Sequence, residues 1–394
     1  AALLAALATV GPFSIDTYLP ALHAIGEELN ATPLEVQQTL TAYMLPMGAM
    51  VLWHGAFSDA WGRKPVIVVS MLLFALASLV CVFAGSIETL LVGRALQGIS
   101  AGAGMVVGRA VVRDIMEGPR AQRLMSHVSM AFALGPAIAP ILGGWIHTAF
   151  GWRAVFVFLA LLGLALAALS AWRLAESHPV EARHPLHLRP LARRYRAVFA
   201  SPGFLLLSIA VSLNFNGFFI YVLSAPVFLM RHLGLGETEF GWMFIPGVIG
   251  MMAGSGLSAR LAGRLSQART IRLGFALMLG AAGLNLAVSY LLPAGLPQSV
   301  LPIMAYNFGM AIAMPSLTLL ALDHFPTHRG LASSCQSFVQ MVISSVTAGI
   351  VAPALWGSVG SLAFGMTAML LLGLACFTAW WWFFHRRRHE AGPA

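Results

Sequence analysis

Residues 176–196, ESHPVEARHPLHLRPLARRYR, decide the fold, because they form the core of the one long polar stretch in a chain of 394 residues. On both sides the sequence is strongly apolar: 59% of residues are hydrophobic and only 9% are charged, and the mean hydropathy is +0.82. A soluble domain carries about 25% charged residues, so this chain cannot cover a water-facing surface and belongs in lipid. A bilayer core of about 30 Å takes about 20 apolar residues per helix. Counting on that basis predicts six spans before the polar stretch, near 1–22, 34–57, 65–84, 88–112, 122–148 and 152–172. Six more follow it, near 203–230, 240–262, 272–292, 299–322, 331–356 and 360–384. Backbone groups in lipid must be satisfied within their own segment, so the spans are helices. The expected fold is an all-α membrane protein with twelve transmembrane helices in two pseudo-symmetric six-helix bundles. Its domains are 1–172, a linker at 173–202, a second bundle at 203–385 and a basic tail at 386–394. The opening apolar run is expected to be a first spanning helix with its N-terminal tail trimmed, being too long for a cleaved signal peptide.

The basic residues set the orientation. Of the 23 Lys and Arg residues, 19 fall on the side that holds the loops after even-numbered spans; Arg153 and Arg231 fall opposite, and Arg94 and Arg109 lie within a span. The positive-inside rule then places both termini in the cytoplasm. The linker, rich in Pro and Arg, suits a cytoplasmic segment with an amphipathic piece on anionic lipid, and its position beside a membrane argues against nucleic acid as a partner. Its His178, His184 and His187 read as solvated side chains rather than metal ligands. The three cysteines, Cys81, Cys335 and Cys376, lie in apolar runs and suggest neither a disulfide framework nor a metal site. No cofactor is expected.

The two sets of spans echo one another. Gly55, Gly62 and Arg63 after span 2 recur as Gly256, Gly263 and Arg264 after span 8, at a constant offset of 201. Asp114 with Arg120 recurs as Asp323 with Arg329, at an offset of 209. Two echoes in the same order argue for a duplicated six-helix unit in parallel orientation, an architecture that puts substrate sites between the halves near the bilayer midplane.

Gly55, Asp59, Gly62, Arg63 and Lys64 resemble the loop 2–3 signature of the major facilitator superfamily (G-x-x-x-D-x-x-G-R-K). Arg94, Gln97, Gly98 and Gly102 resemble the span 4 signature of its proton-driven members. Gly135, Pro136, Pro140, Gly143 and Gly144 resemble the span 5 signature of its drug antiporters. Together with Ile15-Asp16-Thr17-Tyr18-Leu19-Pro20 they are similar to the Bcr/CflA branch of twelve-helix drug/proton antiporters. Ala56 departs from the Pro usual in that branch, and Arg260 stands where the second copy would repeat Asp59. The resemblance implies a monomeric inner-membrane exporter of small drug-like molecules, driven by protons and free of enzymatic chemistry. A proton-coupled metabolite exporter or importer on the same fold is the alternative. A membrane enzyme is disfavoured, because no nucleophile–base pair or His-Glu-x-x-His motif is present.

Asp16 is the one carboxylate well inside an apolar run. Charge at mid-bilayer is costly and burial favours the neutral form of a carboxyl group, so Asp16 is the candidate proton site; a static ion pair with an arginine is the rival reading. Measured along helices, Asp16 lies about 22 Å above the inner surface and Arg94 about 10 Å below the outer one, levels that nearly coincide. Arg94 keeps its charge at any relevant pH, so it either holds Asp16 ionised until substrate arrives or bonds Gln97 and nearby backbone. The candidate substrate residues are Asp16, Tyr43, Met47, Arg94, Met130, Phe132, Asn214, Phe218, Tyr306, Asn307, Gln336 and Gln340, a mix of polar groups with adaptable Met and Phe surfaces. The candidate gate is Gly55, Asp59, Gly62, Arg63 and Asp114, with Asp59 suited to a helix N-terminus such as that of span 11, and Arg63 facing Asp114. Gly135, Pro136, Pro140, Gly143 and Gly144 would bend span 5 and pack it closely.

Overall fold

A computed structural model of the chain describes residues 2–116, 118–183, 186 and 188–385; within these, the side chains at 118–123, 126, 127, 129–133, 182, 188 and 385 lie outside the description. Arg120, Arg123, Met130 and Phe132 are therefore placed on a helix without side-chain contacts, and His184, His187 and Arg386–Arg388 lie outside the described residues. The first half is built from α1 (Ala2–Asp16) and α2 (Leu22–Glu28), α3 (Pro33–Trp61), α4 (Arg63–Val82), α5 (Ile87–Ala101) and α6 (Ala103–Ile115), α7 (Gly118–Phe150) and α8 (Trp152–Arg173). A short α9 (Leu188–Phe199) leads into α10 (Pro202–Leu223), α11 (Gly241–Leu261), α12 (Gln267–Leu291), α13 (Leu301–Leu322), α14 (Arg329–Val346) with α15 (Ala352–Ala354), and α16 (Val359–Trp380). Among the described residues ten helical runs are long and apolar enough to cross a membrane, and α3 and α7 occupy the places expected of spans 2 and 5.

The helix starts follow the local chemistry. Thr32 closes a capping box on α3: its Oγ accepts from the Glu35 N–H at 3.2 Å, and its own N–H donates to Glu35 Oε2 at 2.7 Å. Ser86, Ser201, Ser266 and Ser358 cap α5, α10, α12 and α16 in the same position. Spans 1 and 4 are broken where the sequence predicts continuous helices. Span 1 unwinds at Thr17 and Tyr18 and resumes through a tight turn at Leu19–Ala21. Span 4 breaks at Gly102, which closes α5 and opens α6.

The chain forms two units, one of Ala1–His187 with Leu235–Phe244, the other of Leu188–Gly234 with Ile245–Ala394. The division falls inside the expected linker, whose first part packs with the first unit and whose α9 packs with the second. Residues 235–244 join the first unit: the Glu237 carbonyl lies against Gly144 of α7, and Glu237 Oε2 sits 3.3 Å from His147 Nε2.

Within the first unit, helices approach so closely that backbone meets backbone. Gly98 of α5 lies on the Tyr43 carbonyl of α3, Gly104 of α6 on the Leu7 carbonyl of α1, and Gly143 of α7 on the Thr17 carbonyl where span 1 unwinds. Small residues at such crossings are how membrane helices gain packing without a hydrophobic driving force. One edge of this bundle is further stapled by Glu28, which accepts from Trp152 Nε1 at 2.6 Å and from Arg153. In the second unit Gly250 and Gly254 of α11 abut the Met304 and Phe308 carbonyls of α13, and Gly217 of α10 abuts the Tyr306 hydroxyl.

These crossings give a direct contrast. Gly98→Ala places a methyl group in the Tyr43 backbone and is expected to cost about 1–3 kcal/mol. Gly280→Ala on α12 meets nothing within 4 Å among the described residues and is expected to be neutral or to stabilise by about 0.5–1 kcal/mol through helix propensity. Thermal unfolding of both variants in detergent checks the pair; equal midpoints would refute the packing account.

Candidate functional site

The break in span 1 sets the site. Asp16 is the last residue of α1, 3% exposed, and the chain turns away immediately after it. A negative charge there lies at the negative end of a helix dipole. Among the described residues no hydrogen bond or ion pair reaches its carboxylate.

Arg94, on α5, is fully buried at the same level, since its Nη1 donates to the carbonyl of Ser14 at 3.4 Å. Its stronger bond is one turn along its own helix, from Nη1 to Gln97 Oε1 at 2.8 Å. Gln97 Nε2 in turn donates to Ser78 Oγ of α4 at 2.7 Å, and Ser78 donates to the Phe74 carbonyl at 2.7 Å. Arg94 Nε and Nη2 have no acceptor among the described residues. The cation is held instead by ring faces: its Cζ lies 4.4 Å from the Tyr43 centroid, 4.7 Å from Tyr18 and 6.0 Å from Phe156. Of the two roles open to Arg94 on sequence, the bonds to Gln97 and backbone are the ones the geometry contains.

The cage is itself anchored. Tyr43 donates from its hydroxyl to the Gly11 carbonyl at 2.9 Å and lies 3.3 Å from Ser14 Oγ, so α3 clasps α1 just below Asp16. The Tyr18 hydroxyl shares a 2.9 Å hydrogen bond with Thr39 Oγ1, and its ring packs on Phe156 at 5.3 Å. Met47 is buried beside Gly11. The structure thus gathers Asp16, Arg94, Tyr43 and Met47, with Met130 and Phe132 outside the described side chains. Phe156, Ser78 and Thr39 complete the site and were not singled out on sequence; their relevance depends on the register between spans, which one sequence does not reveal. Tyr18, two residues from Asp16 and inside the span 1 signature, was readable as a motif residue but not as part of an arginine cage.

In the second unit the named residues fall into separate groups. The Tyr306 hydroxyl donates to the Asn214 carbonyl at 2.9 Å, while the Asn214 side chain faces Gly373 of α16. Asn307 Nδ2 donates to the Gly247 carbonyl at 3.3 Å, with the Phe218 ring against the same glycine. Asn216 links α10 to α14 by a 3.1 Å bond from Nδ2 to Ser344 Oγ. Gln336 is buried and Gln340 half-buried on α14, neither bonded to these groups.

The signature loop between α3 and α4 centres on Arg63, whose side chain is 8% exposed. Its Nε donates to Asp114 Oδ2 at 2.9 Å and its Nη1 to Ser58 Oγ at 2.7 Å and to Asp59. Gly55 lies against Val106, and among the described residues nothing comes within 4 Å of a methyl group placed on Gly135. Pro136 and Pro140 stand inside α7 without ending it. In the second copy Arg329 Nη2 meets Asp323 Oδ1 at 2.6 Å, exposed.

Comparison with known proteins places this geometry. Residues 4–348 match the Major Facilitator Superfamily. The chain is 28% identical over 371 residues to the bicyclomycin resistance protein homolog of Haemophilus influenzae, covering 94% of this chain and 93% of that one. It is 28% identical to multidrug resistance protein D of Escherichia coli, over 99% and 97% of the two chains. With multidrug resistance protein MdtL of Escherichia fergusonii it shares 30% identity over 86% and 85%. Among solved structures it superposes on a bacterial homologue of the lysosomal transporter Spinster with a TM-score of 0.72 at 16% identity, covering 98% and 96% of the chains. The human organic anion transporter MFSD10 gives 0.68 at 19%, covering 96% and 97%. At these identities the structural likeness concerns the fold.

The cage makes a counterintuitive stability prediction. A buried cation with two unsatisfied donors is expensive, so Arg94→Met, which keeps the volume and the apolar contacts, is expected to leave the unfolding midpoint unchanged or to raise stability by about 1–4 kcal/mol. Arg94→Ala is expected to lower it by leaving a cavity. Thermal unfolding in detergent checks both; a large loss in Arg94→Met would mean that the cation itself holds the bundle together.

Proposed function

We propose that this chain, which belongs to the Major Facilitator Superfamily and is a multi-pass transporter of the inner membrane, exports small drug-like molecules in exchange for protons, with Asp16 as the proton site. The observation that carries the reading is the buried carboxylate of Asp16 at the end of α1, two residues beyond the Ser14 carbonyl that Arg94 touches and in no ion pair among the described residues. A carboxylate locked in an ion pair has no proton to exchange, whereas one without a fixed cation can alternate between states. Three relatives named for resistance to bicyclomycin or to multiple drugs support the choice of cargo.

In this mechanism both termini are cytoplasmic, an orientation that the arginine distribution supports. The proton enters Asp16 from outside, and substrate arriving from the cytoplasm or inner leaflet displaces it. Arg94 adds a fixed positive charge to the same neighbourhood, so a neutral Asp16 leaves the site net positive and an ionised one leaves it balanced. Substrate and proton each favour a different conformation, and coupling follows from that difference in affinity. Tyr43, Met47 and Arg94 are the substrate-contact candidates of the first unit, and Phe218, Asn307 and Gln336 are those of the second. The Arg63 cluster would hold the cytoplasmic end closed in one of the two states.

Expression in an efflux-deficient host tests the reading. The chain is expected to raise tolerance to a subset of antibiotics, an uncoupler is expected to abolish that tolerance, and Asp16→Asn is expected to reduce gradient-driven export at least about tenfold, the loss of one kinetically essential group of about 1.4 kcal/mol or more. Export that survives the uncoupler would end proton coupling; unchanged susceptibility across a broad panel would end the drug-export reading.

A further inference from the structure

We propose that the segment following α8, residues 176–183, is a working part of the loop between α3 and α4, with Glu176 as the residue that positions Arg63. The inference deepens the proposed function, because it rests on that loop acting as a gate.

Helix α4 begins at Arg63 with no cap from its own neighbours; its N-cap residue, Gly62, has no side chain to offer. The first N–H groups of a helix need acceptors from elsewhere, and a carboxylate suits both the hydrogen bonds and the dipole. Glu176 supplies it from 113 residues away: Oε1 accepts from the Arg63 N–H at 2.9 Å, and Oε2 from the Lys64 N–H at 3.3 Å. The neighbouring Ser177 donates from Oγ to Asp114 Oδ2 at 3.0 Å, the same oxygen that takes the Arg63 Nε bond. The segment then folds back on itself, with the His178 N–H on Glu176 Oε1 at 2.9 Å and Arg183 Nη2 3.7 Å from Glu176 Oε2.

Gly62 is what lets this strap lie down. Its φ is +102°, and a Cβ there would come within 2.5 Å of Glu176 Oε2 and 2.7 Å of Arg183 Nη2. The close approach that the signature glycine permits is therefore, in this chain, an approach by the strap. Asp59, Arg63 and Asp114 are tied through Glu176 and Ser177 to the very segment that continues covalently into the second unit. A movement that separates the α3–α4 turn from the end of α6 has to break either the bonds to Glu176 or the bond from Ser177, so the strap adds its own hold to the closed arrangement of Arg63.

The test compares Glu176→Ala combined with Ser177→Ala, Glu176→Gln and Glu176→Asp with the parent chain. Two readouts are taken on matched amounts of inserted protein. The first, which needs no drug, is modification of Ser58→Cys by a membrane-impermeant maleimide in inside-out vesicles, in a background where Cys81, Cys335 and Cys376 are replaced. Ser58 is buried under the Arg63 guanidinium, so thiol reactivity at this position reports release of that side chain. The second is turnover against apparent KM for an exported antibiotic. The double variant is expected to react at least about fivefold faster and to lose turnover about fivefold with KM within twofold, a rate change of about 1 kcal/mol in barrier. Glu176→Asp is expected to recover most of both, and Glu176→Gln part, since it keeps the shape without the charge. Unchanged maleimide reactivity at position 58 in the variants would overturn the proposal, and so would faster reactivity with unaltered turnover, the signature of an inert helix cap. If the parent chain exports nothing, the export reading fails, and the maleimide readout alone decides whether Glu176 holds Arg63.

Discussion

The burial of Arg94 is the constraint around which the first unit is arranged. A guanidinium keeps its proton even in lipid, so the fold has to accommodate a permanent cation about which four other helices are arranged. Tyr43 on α3, Tyr18 after α1 and Phe156 on α8 present their faces to it, while Gln97 relays its charge to Ser78 on α4. The close seating of Gly98 on the Tyr43 carbonyl brings α3 and α5 near enough for the ring to stack. The glycines of span 4 and the cage are thus one arrangement seen from two sides: close helix crossing is what lets short aromatic side chains surround an arginine.

That arrangement leaves Asp16 with a distinctive environment. It is at a helix end but not capped, and buried without a hydrogen-bond donor or ion-pair partner among the described residues. The unwound turn at Thr17 and Tyr18 achieves this by directing the Tyr18 ring to Arg94 and letting the Thr17 backbone rest on Gly143 of α7. Span 5 therefore touches the interruption itself, so a displacement of α7 at Gly143 would act directly on the backbone next to Asp16. Discontinuous helices that border charged sites recur in transporters for the same reason: irregular backbone is tolerated in a membrane only where protein or a cavity surrounds it.

Much of the helical fold was legible because hydropathy is a bulk property: long apolar runs and the single polar stretch between them need no knowledge of contacts. Asp16 and Arg94 stood out for the same reason, as rare charges inside such runs. What was not legible depends on register and on single bonds. The break at Gly102 and the unwinding after Asp16 leave hydropathy unchanged, so both spans read as continuous. Ser78 and Phe156 look like any interior serine and phenylalanine until α4 and α8 are packed. Glu176, in a segment rich in charge and proline, reads as a solvated linker residue, and nothing local marks it as the cap of a helix that begins at Arg63. The domain boundary shows the same limit: residues 235–244 lie in the second half of the sequence yet pack with the first unit through His147 and Gly144.

The two units differ in the chemistry of their buried side chains. Among the described residues, the buried Asp, His and Arg side chains, Asp16, His54, Arg63, Arg94 and His147, all belong to the first unit. The buried polar side chains of the second unit are amides and hydroxyls, including Asn214, Asn216, Asn285, Asn307, Gln336 and Ser344. The divergence extends to the repeated loop, where Arg260 stands at the position of Asp59 and the Asp323–Arg329 pair is exposed rather than enclosed. A neutral amide can hold a ligand through hydrogen bonds but cannot take up a proton at physiological pH. A proton-coupled cycle built on these residues therefore has its charge change in one bundle only. The strap at Glu176, which joins the charged cluster of the first unit to the connecting chain, lies on the covalent route from one unit to the other.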